Sequence, residues 1–478
     1  MTSVTAPASS GLGRPYLNIL AIAAMASLIV IAMVMPVAAF GLLALAVGGF
    51  VIWRMPWLFV PLMIGSVFFG AVTVGGFGVA RLIGPISLPV AVIAVARNGG
   101  LTVKGTSMPV WIAGFCLIAV ASMFWTDSPG GTNGMLFSLA LAIIYAVAIV
   151  ALVQDRRALR VAMRSIPIAS IALFAYTLFA LGVSSGDPLM AQEFTGDRNF
   201  LAMFLATGAA VSVPIIFHPY YSWDRKMAIT GAATGAIGVY LTDSQGGMLA
   251  LIAMGVVATL LAPRPQTRRK LLPYYVIAAP ILAAVIVIVL SSGSNIEGSS
   301  GGVIEGIRNS SVDRTNLWRG AYAAWEANPE LGVGYGAYAD ASAQWMLETP
   351  GVNLQLYNLP DHSQEAHNTY VELLAELGPA GLTLFMGIVI SALLAQARVL
   401  RSARSRGDNE FEKTALGLTL AIVAVGVASF FLSVSTNRVW WVVFALTIVL
   451  ATLDQLERPG RSSGSERSRV NAEDDLTL

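Results

Sequence analysis

The chain has 478 residues, of which 56% are hydrophobic and 12% charged, and its formal net charge is +2. So apolar a composition excludes an ordinary soluble globular protein and predicts an all-α fold, a polytopic transmembrane helical bundle. The near-neutral balance singles out no class of partner and no nucleic-acid partner is expected; the lone Cys116 allows no intrachain disulfide and argues against redox chemistry.

The N-terminal stretch carries only Arg14 before its first apolar run and shows no small-x-small cleavage site near Met35 and Pro36, so it reads as a retained first span. Spans of about 20 apolar residues are predicted near 16–36, 37–53, 56–75, 77–96, 109–126, 134–153, 165–183, 200–217, 227–243, 246–262, 271–291, 368–396, 415–433 and 437–454. That gives about 12–14 crossings, the count depending on the short pairs at 16–53 and 227–262. Lys and Arg are retained on the cytoplasmic side during insertion. A cytoplasmic N-terminus puts Arg54, Arg97, Lys104, Arg156, Arg157, Arg160, Arg164, Arg225, Lys226, Arg264, Arg268, Arg269, Lys270, Arg398, Arg401, Arg404, Arg406 and Lys413 inside. It leaves Arg81, Arg198, Arg308, Arg314, Arg319 and Arg438 outside, where topology does not call for them. The expected organisation is a first membrane part over 1–291, an extracytoplasmic, partly helical loop over 292–366, the last spans over 367–456 and a disordered cytoplasmic tail over 457–478. No repeat of fixed period stands out.

The long polar loop gathers the chemistry. Asp313 is read as the cap of a helix running to about Ala327, where Asn328 and Pro329 end it. Arg314, Trp318 and Trp325 then fall close to one face, a guanidinium above an aromatic stripe; an interfacial helix with its Trp rings at headgroup depth is the competing reading. An outside Arg suits bidentate binding of phosphate, which favours a functional Arg314. Gly332, Gly334 and Gly336 follow; such residues permit positive φ and close approach to a ligand, although a plain turn accounts for any one of them. His367 precedes a helix that enters the membrane, with Glu365, Asn368 and Glu372 near enough to orient its imidazole. Neutral imidazole suits a general base for a sugar hydroxyl.

Asp361, His362, Glu365 and His367 fit no standard zinc spacing, so no metal and no cofactor are expected. His218, in the FHPYYSWDRK turn, reads as structural. Two short outer segments are expected to complete the site: GDRNFLA with Asp197, Arg198 and Asn199, and TDSQGG with Asp243, Ser244 and Gln245. Arg198, beside a span mouth, offers a second cationic contact for an anionic lipid headgroup.

RTNLWRGAYAAWEANPELGVGYGAY followed by HNTYVELLAELGPAGL resembles the O-antigen ligase and polymerase superfamily of bacterial membrane glycosyltransferases. GDRNFLA and TDSQGG look like that family's earlier outer-face motifs, so the resemblance covers roughly 190–440. It implies transfer of a glycan from a polyprenyl-diphosphate carrier to an acceptor sugar hydroxyl on a glycan or glycolipid, at the extracytoplasmic face of the cytoplasmic (inner) membrane, without metal or nucleotide sugar. His367 would be the catalytic base and Arg314, Arg198 and Gln245 the donor diphosphate contacts, supported by Asn368, Glu372, Trp318, Asn199 and Ser244. Many members have Arg where this chain has Gln245, which donates a hydrogen bond but carries no charge. Removal of the hydroxyl proton by His367 implies direct displacement with inversion.

The alternative from another class is a transporter or flippase of lipid-linked sugars, which would place ionisable groups in mid-span. Here the charges lie almost wholly at span ends and in loops. A shape-determining, peptidoglycan-type polymerase shares the substrate class but lacks the pairing of RTNLW with HNTY. The residues do not separate ligase from polymerase.

Overall fold

The computed structural model describes residues 54–70, 73–74, 77–183, 197–217, 219–262, 303–350 and 364–458. The spans expected at 16–36, 37–53 and 271–291, together with His218, Asp361 and His362, lie outside these residues. Two compact units divide the chain, Met1–Phe59 and Val60–Leu478. Of the first, the described part is a short 3-10 turn at Pro56–Leu58, where the Leu58 amide donates to the Met55 carbonyl at 3.0 Å.

The second unit is helical. It contains α1 (Phe59–Phe68), which begins at the junction, then α2 (Val79–Arg97), α3 (Met108–Ala121), α4 (Pro129–Leu152), α5 (Arg156–Val183), α6 (Arg198–Phe217), α7 (Ser222–Leu241) and α8 (Gln245–Leu260). After these come α9 (Val303–Ala327), α10 (Ala337–Glu348), α11 (Thr369–Arg406), α12 (Asn409–Ala428) and α13 (Arg438–Leu456). A two-residue antiparallel ladder, β1 (Thr73–Val74) with β2 (Phe77–Gly78), is a local turn within this all-α architecture. Every other predicted span coincides with a helix. Among the described residues six helices (α4, α5, α6, α11, α12 and α13) are long and apolar enough to cross a membrane, so the chain is a multi-pass membrane protein.

Packing sorts these spans into inner and outer ones. The apolar window of α13 is 89% buried by protein, that of α5 only 39%, so α13 is the central span. Its Trp440 and Trp441 are fully buried; Trp440 stacks on Phe444 at 5.0 Å and meets Phe385 of α11 edge-on at 6.0 Å. Helix α7 lies tight on α6 because Gly235 faces it: a Cβ there would come within 2.7 Å of Ala209 and of the Leu205 carbonyl.

Charge separates the two ends of the bundle. At one end Arg156 pairs with Asp408 (2.7 Å) and with Glu457, Arg160 with Glu410 (2.8 Å), Arg164 with Asp224 (2.8 Å), and Arg406 and Arg458 both with Asp454 (2.7 Å). The opposite end carries Arg198, Arg314, Arg438 and His367. These described residues of the second unit are thus segregated as the sequence pattern expects.

One expected boundary is wrong. Helix α9 ends at Ala327 as predicted, but it begins at Val303, so position 313 lies inside it and is not its start. A side chain acts as an N-cap only where the amides beyond it lack carbonyl partners, and the preceding turns of α9 supply them.

Candidate active site at the outer helix ends

The N-terminus of α11 is fixed by its own residues and by the turn between α12 and α13. Asn368 caps the helix, its Oδ1 accepting from the amides of Tyr370 (3.0 Å) and Val371 (3.2 Å). The Thr369 amide donates to the carbonyls of Ser429 and Leu432, both at 2.9 Å, while its hydroxyl donates to Leu432 at 2.6 Å and accepts from the Val434 amide at 2.9 Å. The buried carboxylate of Glu372 accepts from the Ala366 amide at 3.0 Å and from the Ser433 hydroxyl.

His367 sits between these anchors with φ at +47°. For a residue other than glycine the left-handed region costs about 1–2 kcal/mol, and it persists where the surroundings over-determine it. The strain turns the chain sharply ahead of the helix and sets the direction of the imidazole. Burial pushes the His367 pKa down from its ordinary value; Asp197 acts in the opposite direction, and Arg314 adds to the lowering. The neutral imidazole is therefore favoured near pH 7. Partial loss of water, reinforced by Asp197, pushes Glu365 up.

Arg314 reaches this point from the middle of α9. Its Cζ lies 5.2 Å from the centre of the Phe431 ring, a cation–π geometry. Helix α8 meets the same ring, since a Cβ on Gly246 would come 2.8 Å from Phe431. Phe431 is thus a shared floor beneath the guanidinium and the start of α8, where the Oε1 of Gln245 is buried without a hydrogen-bond partner among the described residues.

The two outer motifs are tied directly together. Ser244 caps α8, accepting from the Gly247 amide at 3.1 Å, and donates to Asn199 Oδ1 at 2.8 Å. Asp197 Oδ1 accepts from the amides of Asn199 (2.7 Å) and Phe200 (3.3 Å) at the start of α6. Arg198 lies 3.8 Å from Asp243, an exposed and long ion pair that contributes little to stability. Asp243, at φ +50°, is the other non-glycine residue in the left-handed region among the described residues. Both such positions fall at this site.

Several expected contacts are made otherwise. Glu372 and Asn368 spend their oxygens on amides and a hydroxyl, so they set the backbone around His367 and not its ring. Arg314 stands over Phe431, a ring outside its own helix. Trp325 donates to the Pro329 carbonyl at 3.0 Å, and Trp318 lines a separate cavity between α9 and α10. The Gly cluster approaches protein, not a ligand site. Gly378 (φ +63°) and Pro379 break α11 and free the carbonyls of Ala375 and Glu376, which accept from the amides of Val333 (3.0 Å) and Gly334 (2.9 Å).

Two residues take parts that the sequence reading did not give them: Asp197, which it placed in an outer segment of the site without a role, and Arg438, which it left out of the site. Asp197, adjacent to Arg198, is the carboxylate acting on His367. Arg438, with its Cζ 5.1 Å from the Tyr145 ring, lines a cavity of about 440 Å³ together with Asp197, Phe68, Leu173, Phe200 and Phe204. Its placement outside without topological need was the available signal.

Residues 230–386 match the family described as O-Antigen ligase. The segment contains Ser244, Gln245, Arg314 and His367. The chain is also 25% identical over 309 residues to the "Exopolysaccharide production protein ExoQ" of Rhizobium meliloti (strain 1021), a match covering 61% of this chain and 66% of that protein. The chain therefore spans just under two thirds of this relative's length. The residues that carry the family resemblance meet at one end of a multi-pass helical bundle, and the two matches make the chain similar, over residues 230–386, to the O-antigen ligase family and, over 61% of its length, to a protein named for exopolysaccharide production.

Proposed function

We propose that the protein transfers a glycan from a polyprenyl-diphosphate carrier to a hydroxyl of an acceptor sugar at the extracytoplasmic face of the bacterial cytoplasmic membrane. The ion-paired end then faces the cytoplasm, with both termini, and the His367 end faces outward. The observation that carries this reading is the convergence of Arg314, Asp197 and a strained, largely neutral His367 beside the Ser244–Asn199 link.

In the reaction, His367 takes the proton of the acceptor hydroxyl as its oxygen attacks the anomeric carbon. The bond from that carbon to the diphosphate oxygen breaks, and the negative charge gained by the leaving group is stabilised by Arg314 and Arg198, with Gln245 donating a hydrogen bond. Attack opposite the leaving group inverts the anomeric centre. Asp197 stabilises the imidazolium formed. The cavity bounded by Phe68, Leu173, Phe200 and Phe204, with Arg438 at its polar edge, suits the first isoprene units and a phosphate. The relative's name refers to exopolysaccharide production, which favours extension of a growing chain over a single transfer to a lipid core.

The test is purified protein incubated with a polyprenyl-diphosphate glycan and candidate acceptors. We expect products lengthening in steps, and His367→Ala should abolish transfer while retaining donor binding. Normal turnover by that variant would remove His367 as the base, and a single jump in product size would mean ligase.

A further inference from the structure

A cavity of about 610 Å³ lies between α9, α10 and the first turns of α11. Its character is set by Trp318, Arg319, Tyr322 and Glu326 of α9 and by Trp345 and Glu348 of α10. Beneath it Ala321, Ala324 and Ala337 form a tight core against which Trp345 packs. Gly320 lets α10 come close, since a Cβ there would meet Met346 at 3.0 Å, and the large rings are left at the rim. Tyr322 is 49% exposed and meets Trp325 edge-on at 5.0 Å. Glu348 is held by Gln344 Nε2 at 3.0 Å. The Trp318 Nε1 is buried and has no acceptor among the described residues.

We propose that this cavity binds the oligosaccharide of the acceptor, a site that rests on the glycan-transfer reading and gives it a place for the incoming chain. Aromatic faces flanked by carboxylates, a guanidinium and the hydroxyls of Thr315 and Thr349 match sugar rings, which present an apolar face and a polar edge. An acyl chain would have to desolvate Arg319, Glu326 and Glu348 without pairing them. A diphosphate would meet two carboxylates against one guanidinium. The cavity begins at Thr315, next to Arg314, and follows α9 to Glu326, about 16 Å at 1.5 Å per residue. That is room for a short oligosaccharide ending beside His367.

The experiment measures binding of oligosaccharides of one, two and three repeat units, cut from the extracellular polysaccharide of the producing cells, to the full-length protein in detergent. Tyr322→Ala removes a half-exposed ring and is expected to fold. It should weaken oligosaccharide binding about tenfold, leave polyprenyl-diphosphate binding unchanged and shorten the products. Glu348→Gln should weaken it less. Wild-type affinity and product length in Tyr322→Ala would overturn the site, as would displacement of the oligosaccharide by phospholipid alone. If oligosaccharide binds, Tyr322→Ala weakens that binding about tenfold, and neither protein transfers glycan, the transfer reading fails while the site stands.

Discussion

At His367 a single side chain feels three influences that have opposite signs. Burial lowers its pKa, Arg314 lowers it further and Asp197 raises it. A general base works deprotonated, so kcat/KM should fall only as pH drops below the ordinary imidazole value of about 6.5. Removing the positive charge in Arg314→Gln should move that acid limb to higher pH, and removing the negative charge in Asp197→Asn should move it lower, both read from pH–rate profiles of the residual activity. Shifts of the same sign in both variants, or a limb that stays put in both, would mean that His367 is not the titrating base. Arg314 and His367 were legible in the sequence because each stands in a polar motif at a membrane face where insertion alone calls for neither. Asp197 was not assigned to His367, because the pairing arises only when the starts of α6 and α11 come to the same end of the bundle.

Among elements, the broken α11 shows how the long loop is held. Gly378 and Pro379 free two carbonyls, and the 332–334 turn fills them with its amides. This fit demands glycine at 332, where φ is +68° and a Cβ would stand 2.4 Å from the Glu376 carbonyl carbon. Gly99 has nearly the same φ, +67°, with nothing within 4 Å. Gly99→Ala should therefore cost only the left-handed penalty, about 1 kcal/mol, whereas Gly332→Ala adds a backbone clash and should cost about 3 kcal/mol or more. Thermal unfolding in detergent separates the two, and equal losses would refute the docking role. The spanning helices were legible from apolar runs, whereas α10, in the polar loop, was not. Nor were the purpose of the glycines and the start of α9, since the former depends on a distant broken turn and the latter on where amides run out of partners.

Across the whole molecule, the two ends handle charge in opposite ways. The far end satisfies its charges internally: Asp454, 1% exposed, is held by Arg406 and Arg458, each at 2.7 Å. The site end gathers cationic groups around two cavities, a field suited to an anionic substrate. Asp454 stands 16 residues along α13 from Arg438, about 24 Å at the helical rise. Asp454→Asn keeps the shape but leaves two guanidiniums without their shared carboxylate. Since both arginines are partly exposed, at 23% and 38%, water screens part of the loss and a destabilisation of about 1–3 kcal/mol is expected. The turnover of the folded fraction and the acid limb set by His367 should remain those of the wild type. A changed limb in Asp454→Asn would show that the ends communicate through α13, and the ion-paired end would then have to be counted as part of the transfer machinery.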